Sequence, residues 1–361
     1  MKNLSTWRLA LVYAGCFLGA GYVSGQEMWQ FFGTFGVGGL WGLILCTLLQ
    51  GLFCIILLSL VRRGGVREIE QVVVRRERKR LRTAIGGAQL LLLFGVTVIM
   101  SAGAGALTSQ MLGRGAGWAS LFFCVAVAWL ALRGMRGLVT VFSAIVPLLV
   151  TATLAVAAWA ALYFRLDSLS LPQTTHGAGS PLLSHWAVAA VSFVSYNLFG
   201  SIAILVPMAQ AVPNARTARH GAVIGSLFLL VVACAILLSL FLCPETVTQE
   251  LPMLALAQRL SPALGWVYAA LLLAAMFGTA LSCTVAAQGY LAEKFPACAR
   301  RPAATVLPFA ALAFVGGLFG FGDLIGWIYP MFGYLGFAVL ISVVLHERHV
   351  RHRERQEKEK S

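Results

Sequence analysis

The sequence predicts an all-α integral membrane protein of about ten transmembrane helices, arranged as two inverted repeats of five. First, 59% of its 361 residues are hydrophobic and only 11% are charged, with a mean hydropathy of +0.84, which is a membrane-protein composition. Second, apolar stretches of the roughly 20 residues that cross a bilayer recur along the whole chain. Third, two of these stretches contain small and polar residues at mid-depth, which predicts broken helices.

Ten apolar stretches are long enough to be spans, and they leave little sequence for a soluble domain. They cover residues 7–32, 36–61, 83–112, 117–132, 138–164, 185–210, 221–243, 263–291, 303–321 and 324–345. Because the first stretch stays apolar beyond Glu27, it is expected to be a retained span and not a cleaved signal peptide. We therefore predict a first repeat at 1–164, a second repeat at 185–345 and a charged cytoplasmic tail at 346–361.

The positive charge is concentrated in alternate loops. With ten spans and a cytoplasmic N-terminus, 24 of the 27 Lys and Arg residues lie inside, as the positive-inside rule expects for a multi-pass protein of the cytoplasmic membrane with both termini inside. The basic loop at 75–82 and the tail are expected to fix topology and contact anionic lipids, and not to bind nucleic acid. Because each half has five spans, an odd number, the halves are predicted to be inverted.

The first interruption is Gly19-Ala20-Gly21, followed by Tyr-Val and then by Ser24, Gly25, Gln26 and Glu27. Glycines there allow unusual backbone angles, and amides freed at the following half-helix would favour an anionic group of a solute. A small-residue packing face is the alternative. Glu27 is the only carboxylate well inside a predicted span, so it is protonated, paired with a cation or reached by external water. We favour a contact for a cationic group or a proton-coupling site.

The second interruption is predicted in the sixth span, where Ser195, Tyr196, Asn197, Phe199 and Ser201 cross the centre. Asn197 offers both a donor and an acceptor to a zwitterionic solute or a sodium ion, or else makes a structural hydrogen bond to a neighbouring helix. Tyr196 and Phe199 either cover a bound solute or simply pack.

Other features bear on ions, on gating and on enzyme chemistry. Thr279 and Ser282 lie three residues apart on one face of the eighth span, where their hydroxyls either bind sodium or bond to their own helix. Residues 245–260 have near-helical apolar spacing, which predicts a short helix that is either a lid over an external vestibule or a surface element. Eight cysteines without a CxxC pair predict no disulfide or zinc site, and the sequence has no P-loop, nucleophile elbow or HExxH motif.

The stretch at 19–27, GAGYVSGQE, resembles the GAGF(A/V)SGQE motif of YkvI-type bacterial membrane proteins, and SYNLFG at 195–200 resembles their sixth helix. These proteins are relatives of the amino acid/polyamine/organocation transporter superfamily, which has the LeuT-type fold. The resemblance implies a ten-helix, five-plus-five bundle with its solute site between helices 1 and 6 and a sodium site between helices 1 and 8. It places Gly19, Ala20 and Gly21 at an unwound part of helix 1, Asn197 at that of helix 6, and Thr279 or Ser282 at the ion site.

The sequence also departs from better-known members of that superfamily. No arginine follows the first interruption to pair with Asp323 across an outer gate, and Glu27 stands near that place instead. We therefore expect a secondary transporter, not an enzyme, for a small polar solute such as an amino acid or an organic amine, coupled to sodium or protons. The alternatives are a solute-sensing receptor on the same fold and a purely structural protein.

Overall fold

The computed structural model describes residues 5–64, 79–133, 145–164 and 179–360, and no β-strand occurs in these ranges. Its α-helices are α1 (Thr6–Phe17), α2 (Ala20–Val23), α3 (Gln26–Phe31), α4 (Val37–Gly64), α5 (Lys79–Leu112), α6 (Ala116–Leu132), α7 (Ile145–Tyr163), α8 (Trp186–Ala209), α9 (Ala215–Leu242), α10 (Pro252–Leu260), α11 (Pro262–Lys294), α12 (Pro296–Arg300), α13 (Ala303–Gly316) and α14 (Phe321–Lys360). Two short 3-10 helices, Gly33–Phe35 and Pro244–Thr248, connect them.

The all-helical membrane architecture is confirmed. Six helices (α4, α5, α7, α9, α11 and α14) are long and apolar enough to cross a bilayer, and α6, α13 and the Trp186–Ile202 part of α8 form shorter apolar helices. The predicted first span corresponds to α1, α2 and α3 together. The basic loop at 75–82 lies mostly outside the described residues, and so does most of the connection between the two predicted halves. The tail continues α14 as helix to Lys360.

The first span is interrupted twice. An interruption was predicted, but of Gly19, Ala20 and Gly21, which were expected at an unwound part, only Gly19 lies outside a helix, because α2 begins at Ala20. The α1 helix ends at Phe17, and Gly19 then adopts an extended conformation before α2. Gly25 has a φ of 86° and separates α2 from α3. Only glycine adopts that left-handed conformation at little cost, so the break between α2 and α3 depends on Gly25.

The predicted interruption of the sixth span is wrong, because α8 is one continuous helix from Trp186 to Ala209. Two of its polar side chains bond to carbonyls of the helix itself. Asn197 Nδ2 donates to the Phe193 carbonyl at 3.0 Å, and Ser201 Oγ donates to the Leu198 carbonyl at 3.0 Å. Such local bonds satisfy polar side chains in an apolar helix without unwinding it.

Small residues bring several helices close together. The α8 helix packs between α4 and α14, and Gly333 and Gly336 of α14 lie directly against Ser192 and Ser195 of α8. The α1 helix packs on α9. Glycine at such contacts lets two backbones approach closely, which is a common basis of helix association in membranes.

The short helix α10 is a buried element and not a surface one. Met253, Leu254 and Leu256 are fully buried, and α10 packs against α7, α9 and α11. Gly25, at the second interruption of the first span, lies against Met253. This geometry agrees with a lid at residues 245–260, which stays a prediction. We refer to this side of the bundle as the α10 end.

Gly39 at the start of α4 provides a test of the packing around the first span. A Cβ at this position would lie 1.9 Å from the Phe32 carbonyl oxygen, which is backbone and cannot rotate away. We expect Gly39→Ala to cost about 1–3 kcal/mol or more and to lower the melting midpoint of the purified protein. Gly289→Ala is the control, because nothing lies within 4 Å of a Cβ there. Equal midpoints for the two variants would contradict this packing.

Candidate functional site

The candidate site is centred on Glu27, in the first turn of α3. Its side chain is only 4% exposed. The carboxyl lies over Gly21, where a Cβ would be 2.8 Å from Glu27 Oε2, and the Asn197 side chain of α8 is within hydrogen-bonding reach of it. Three residues that the sequence singled out separately, Gly21, Glu27 and Asn197, therefore meet at one place.

The described surroundings of Glu27 contain no compensating positive charge. Among the described residues, the ionisable groups in electrostatic range of its carboxyl are Tyr22, Tyr329 and Cys46, and none of them carries a positive charge. A buried carboxylate without a cation is strongly unfavourable. The site therefore requires that the carboxyl be protonated or that a cation come from outside the protein.

Tyr329 of α14 belongs to this site, although the sequence analysis did not identify it. Its hydroxyl oxygen is 3.6 Å from the position that a Cβ on Gly21 would occupy. Its ring stacks on the ring of Tyr196, with centroids 4.6 Å apart and an interplanar angle of 9°. The only sequence signal was the following Pro330 together with glycines at 333 and 336, which indicates a close helix contact but not its partner.

Other elements satisfy the backbone of the interrupted first span. The Tyr268 hydroxyl of α11 donates to the Val23 carbonyl at 2.7 Å, and the Met253 amide of α10 donates to the Ser24 carbonyl at 2.9 Å. In the opposite direction, the Tyr22 hydroxyl of the first span donates to the Leu229 carbonyl of α9 at 2.8 Å. Gly19 differs, because nothing lies within 4 Å of a Cβ there. The first interruption thus borders open space.

Several predicted site residues face other partners than Glu27. Ser24 stabilises the turn, since its hydroxyl donates to the Gly21 carbonyl at 2.8 Å and accepts from the Gln26 amide at 3.3 Å. The Gln26 side chain lies against Gly322 of α14. The remaining three, Ala20, Ser195 and Phe199, are buried in helix contacts.

The two hydroxyls of the predicted sodium site bond to their own helix. Thr279 Oγ1 donates to the Ala275 carbonyl at 2.9 Å, and Ser282 Oγ donates to the Gly278 carbonyl at 2.7 Å. Each hydroxyl oxygen keeps lone pairs that could accept a cation. The sodium site therefore stays a prediction.

At the α10 end, hydrogen bonds connect α3 and Glu250 to the start of α14. Gln30 Nε2 donates to the Gly322 carbonyl at 2.7 Å, and the Gly322 amide donates to Glu250 Oε2 at 2.6 Å. Ser180 Oγ donates to the Gly326 carbonyl, one turn further along α14. In the part of the chain that the structure describes, these bonds join the α10 end, and no arginine–aspartate pair does so.

Comparison with known proteins gives relatives of almost the same length, although no family model matches the chain. The membrane protein YkvI of Bacillus subtilis is 27% identical over 341 residues, which cover 93% of this chain and 94% of YkvI. YyaD of the same organism is 27% identical over 345 residues, which cover 94% and 96% of the two chains.

Solved transporter structures share the fold at low sequence identity. MhsT in complex with L-phenylalanine has a TM-score of 0.61 at 14% identity, covering 97% of this chain and 99% of MhsT. A manganese transporter of Eremococcus coleocola has a TM-score of 0.60 at 13% identity, covering 95% and 85%. A Na⁺-coupled sialic acid symporter has a TM-score of 0.57 at 14% identity, covering 92% and 76%. The chain is thus similar to YkvI-type membrane proteins and has the LeuT-type transporter fold.

Gln30 offers a test of the closure at the α10 end. Gln30→Ala removes the bond to the Gly322 carbonyl, and a hydrogen bond of this kind contributes about 1 kcal/mol. We expect the amides of α3 to exchange with deuterium about fivefold faster, because 1.4 kcal/mol corresponds to a factor of ten. Thr151→Ala is the control, since its hydroxyl is exposed and bonds only to its own helix. Unchanged exchange in α3 would show that the Gln30 bond does not hold this end closed.

Proposed function

We propose that the protein is a secondary active transporter for a small polar solute, an amino acid or an organic amine, and that it works by alternating access. One observation carries the proposal: the buried Glu27 carboxyl lies beside an interrupted helix and has no basic partner among the described residues. An intramembrane acid in such a setting marks an ion, proton or substrate pathway. Proteins such as MhsT share this fold, which supports a transporter and gives no support to an enzyme.

The proposed topology has ten spans in two inverted halves of five, with both termini in the cytoplasm. In this orientation the α10 end faces outward, and the bonds from Gln30 and Glu250 to Gly322 close the outer side. The open space beside Gly19 then lies behind this closed side. Opening the α10 end while closing the other would alternate access to Glu27, as expected of inverted-repeat transporters.

Within this mechanism, Glu27 carries a proton or binds the cationic part of the solute. Asn197 orients the occupant through its amide, and the α1–α3 interruption supplies backbone groups. The proposed coupling ion is sodium or a proton, with sodium held near Thr279 and Ser282. The sialic acid symporter of the same fold is Na⁺-coupled, which makes the sodium alternative the natural first test.

Glu27→Gln tests the central residue. A thermal-shift screen of amino acids, amines and nucleobases first identifies a stabilising solute, and uptake of that solute is then measured in proteoliposomes. We expect Glu27→Gln to lower uptake at least tenfold and to flatten its pH dependence, because glutamine neither ionises nor holds a cation. Among the described residues, the other titratable groups near Glu27 are Tyr22, Tyr329 and Cys46.

Glu245→Gln is the matched control, since that carboxylate is exposed and pairs with Arg259 near the α10 end. Wild-type uptake and pH dependence in Glu27→Gln would remove Glu27 from the mechanism. Solute binding without any flux in the wild-type protein would favour the receptor alternative.

The sodium site is tested by replacing both hydroxyls. Purified wild-type protein is melted in NaCl and in KCl at equal ionic strength, alongside Thr279→Ala and Ser282→Ala. If sodium binds, a concentration tenfold above its Kd stabilises the protein by about 1.4 kcal/mol, and we expect both variants to lose this gain. Thr305→Ala is the control, because the Thr305 hydroxyl makes an exposed hydrogen bond to the Pro302 carbonyl. A wild-type protein that is indifferent to sodium would leave the proton as the coupling ion.

A further inference from the structure

Tyr329 of α14 and Glu27 of α3 both lie close to Gly21. Glu27 Oε2 is 2.8 Å, and the Tyr329 hydroxyl oxygen 3.6 Å, from the position that a Cβ on Gly21 would take. The carboxyl oxygen can approach this closely only because residue 21 has no side chain, whereas the hydroxyl oxygen is at an ordinary contact distance. A carboxyl and a phenol therefore present two hydrogen-bond acceptors beside the interrupted helix.

We propose that Tyr329 determines the specificity of the site by selecting solutes with a primary ammonium group over solutes with a quaternary one. The inference rests on the proposed function, since it concerns the same site. A primary ammonium carries three N–H donors, which match the carboxyl and phenol oxygens. A quaternary ammonium has no N–H donor, so it cannot make these hydrogen bonds.

The charge of the site fits the same ligand. Glu27 has no basic neighbour among the residues that the structure describes, so an ionised Glu27 takes its positive partner from the occupant. The Asn197 amide lies on the Glu27 carboxyl from the α8 side and adds no charge. An ammonium beside Glu27 would neutralise the buried acid and would also lie near the aromatic ring of Tyr329, which attracts cations.

Tyr196 acts as a positioning residue for Tyr329. The two stacked rings are each only 6% exposed, so the stack fixes the plane of the Tyr329 ring. The Tyr196 hydroxyl is itself buried and has no hydrogen-bond partner in the described part of the chain. A buried phenol without a partner is unfavourable, and a bound solute or a water molecule would supply that partner in the occupied site.

The test compares a primary with a quaternary ammonium ion on two single-hydroxyl variants. Purified wild-type protein, Tyr329→Phe and Tyr163→Phe are titrated with ethylammonium chloride or tetramethylammonium chloride at equal ionic strength, and the melting midpoint is followed. Tyr329→Phe keeps the ring and its stack and removes only the hydroxyl, so its midpoint without ligand should match that of the wild type. Tyr163 is exposed at the end of α7 and serves as the control.

We expect ethylammonium to stabilise the wild-type protein and Tyr163→Phe equally. In Tyr329→Phe, the concentration for half-maximal stabilisation should rise about tenfold, as expected for one lost hydrogen bond to a charged group. Tetramethylammonium should stabilise all three proteins weakly and equally. A parallel titration with alanine distinguishes the two sources of the ammonium: a stronger response to alanine indicates an amino acid, and a stronger response to ethylammonium indicates a simple amine.

Two results would overturn the specificity role. One is an equal ethylammonium response in wild-type protein and Tyr329→Phe, and the other is a tetramethylammonium response as strong as that to ethylammonium. Either result leaves the transport proposal intact if another solute is taken up in proteoliposomes. Conversely, ammonium binding that depends on Tyr329, without flux of any solute that binds, would sustain the specificity role and refute transport.

Discussion

An interrupted helix in an apolar bundle can persist only if its freed backbone groups find partners, and most of this structure follows from that requirement. The carbonyls of Val23 and Ser24 are bonded by Tyr268 and Met253, which belong to α11 and α10. The short helix α10 is therefore buried, because its first turn supplies one of these donors. Gly25 then fits against Met253, so the left-handed glycine and the buried helix α10 depend on each other.

The interruption also explains why an acid can lie in this part of the bundle. Glu27 follows it directly, at the start of α3, where the helix dipole favours a negative side chain. The same helix reaches α14 one turn later through Gln30, which bonds to Gly322. Closure of the α10 end is thus built on the element that carries the acid, so displacement of α3 would change both the environment of Glu27 and the access to it.

The sequence predicted the membrane class and an interruption of the first span, because the conformational freedom of glycine is a local property and Glu27 is conspicuous in apolar sequence. It failed at α8, where the polar residues resemble those of the first span but bond to their own helix, as Asn197 does with Phe193. It also missed Tyr329, because packing between distant segments decides the face of α14 that meets Gly21. Tyr268 was missed for the same reason, because a tyrosine in an apolar span does not reveal that its hydroxyl serves another helix.

The continuity of α14 has a mechanical consequence. Its 40 residues correspond to about 60 Å at 1.5 Å per residue, roughly twice the hydrocarbon thickness of a bilayer. Tyr329 lies near one end of this rod, next to Pro330, where the helix lacks one backbone hydrogen bond. The part of α14 before the proline is short and lies near the acid, and the part after it is long and ends in the charged tail. A few degrees of tilt at the proline would therefore move the far end of α14 sideways by several ångströms.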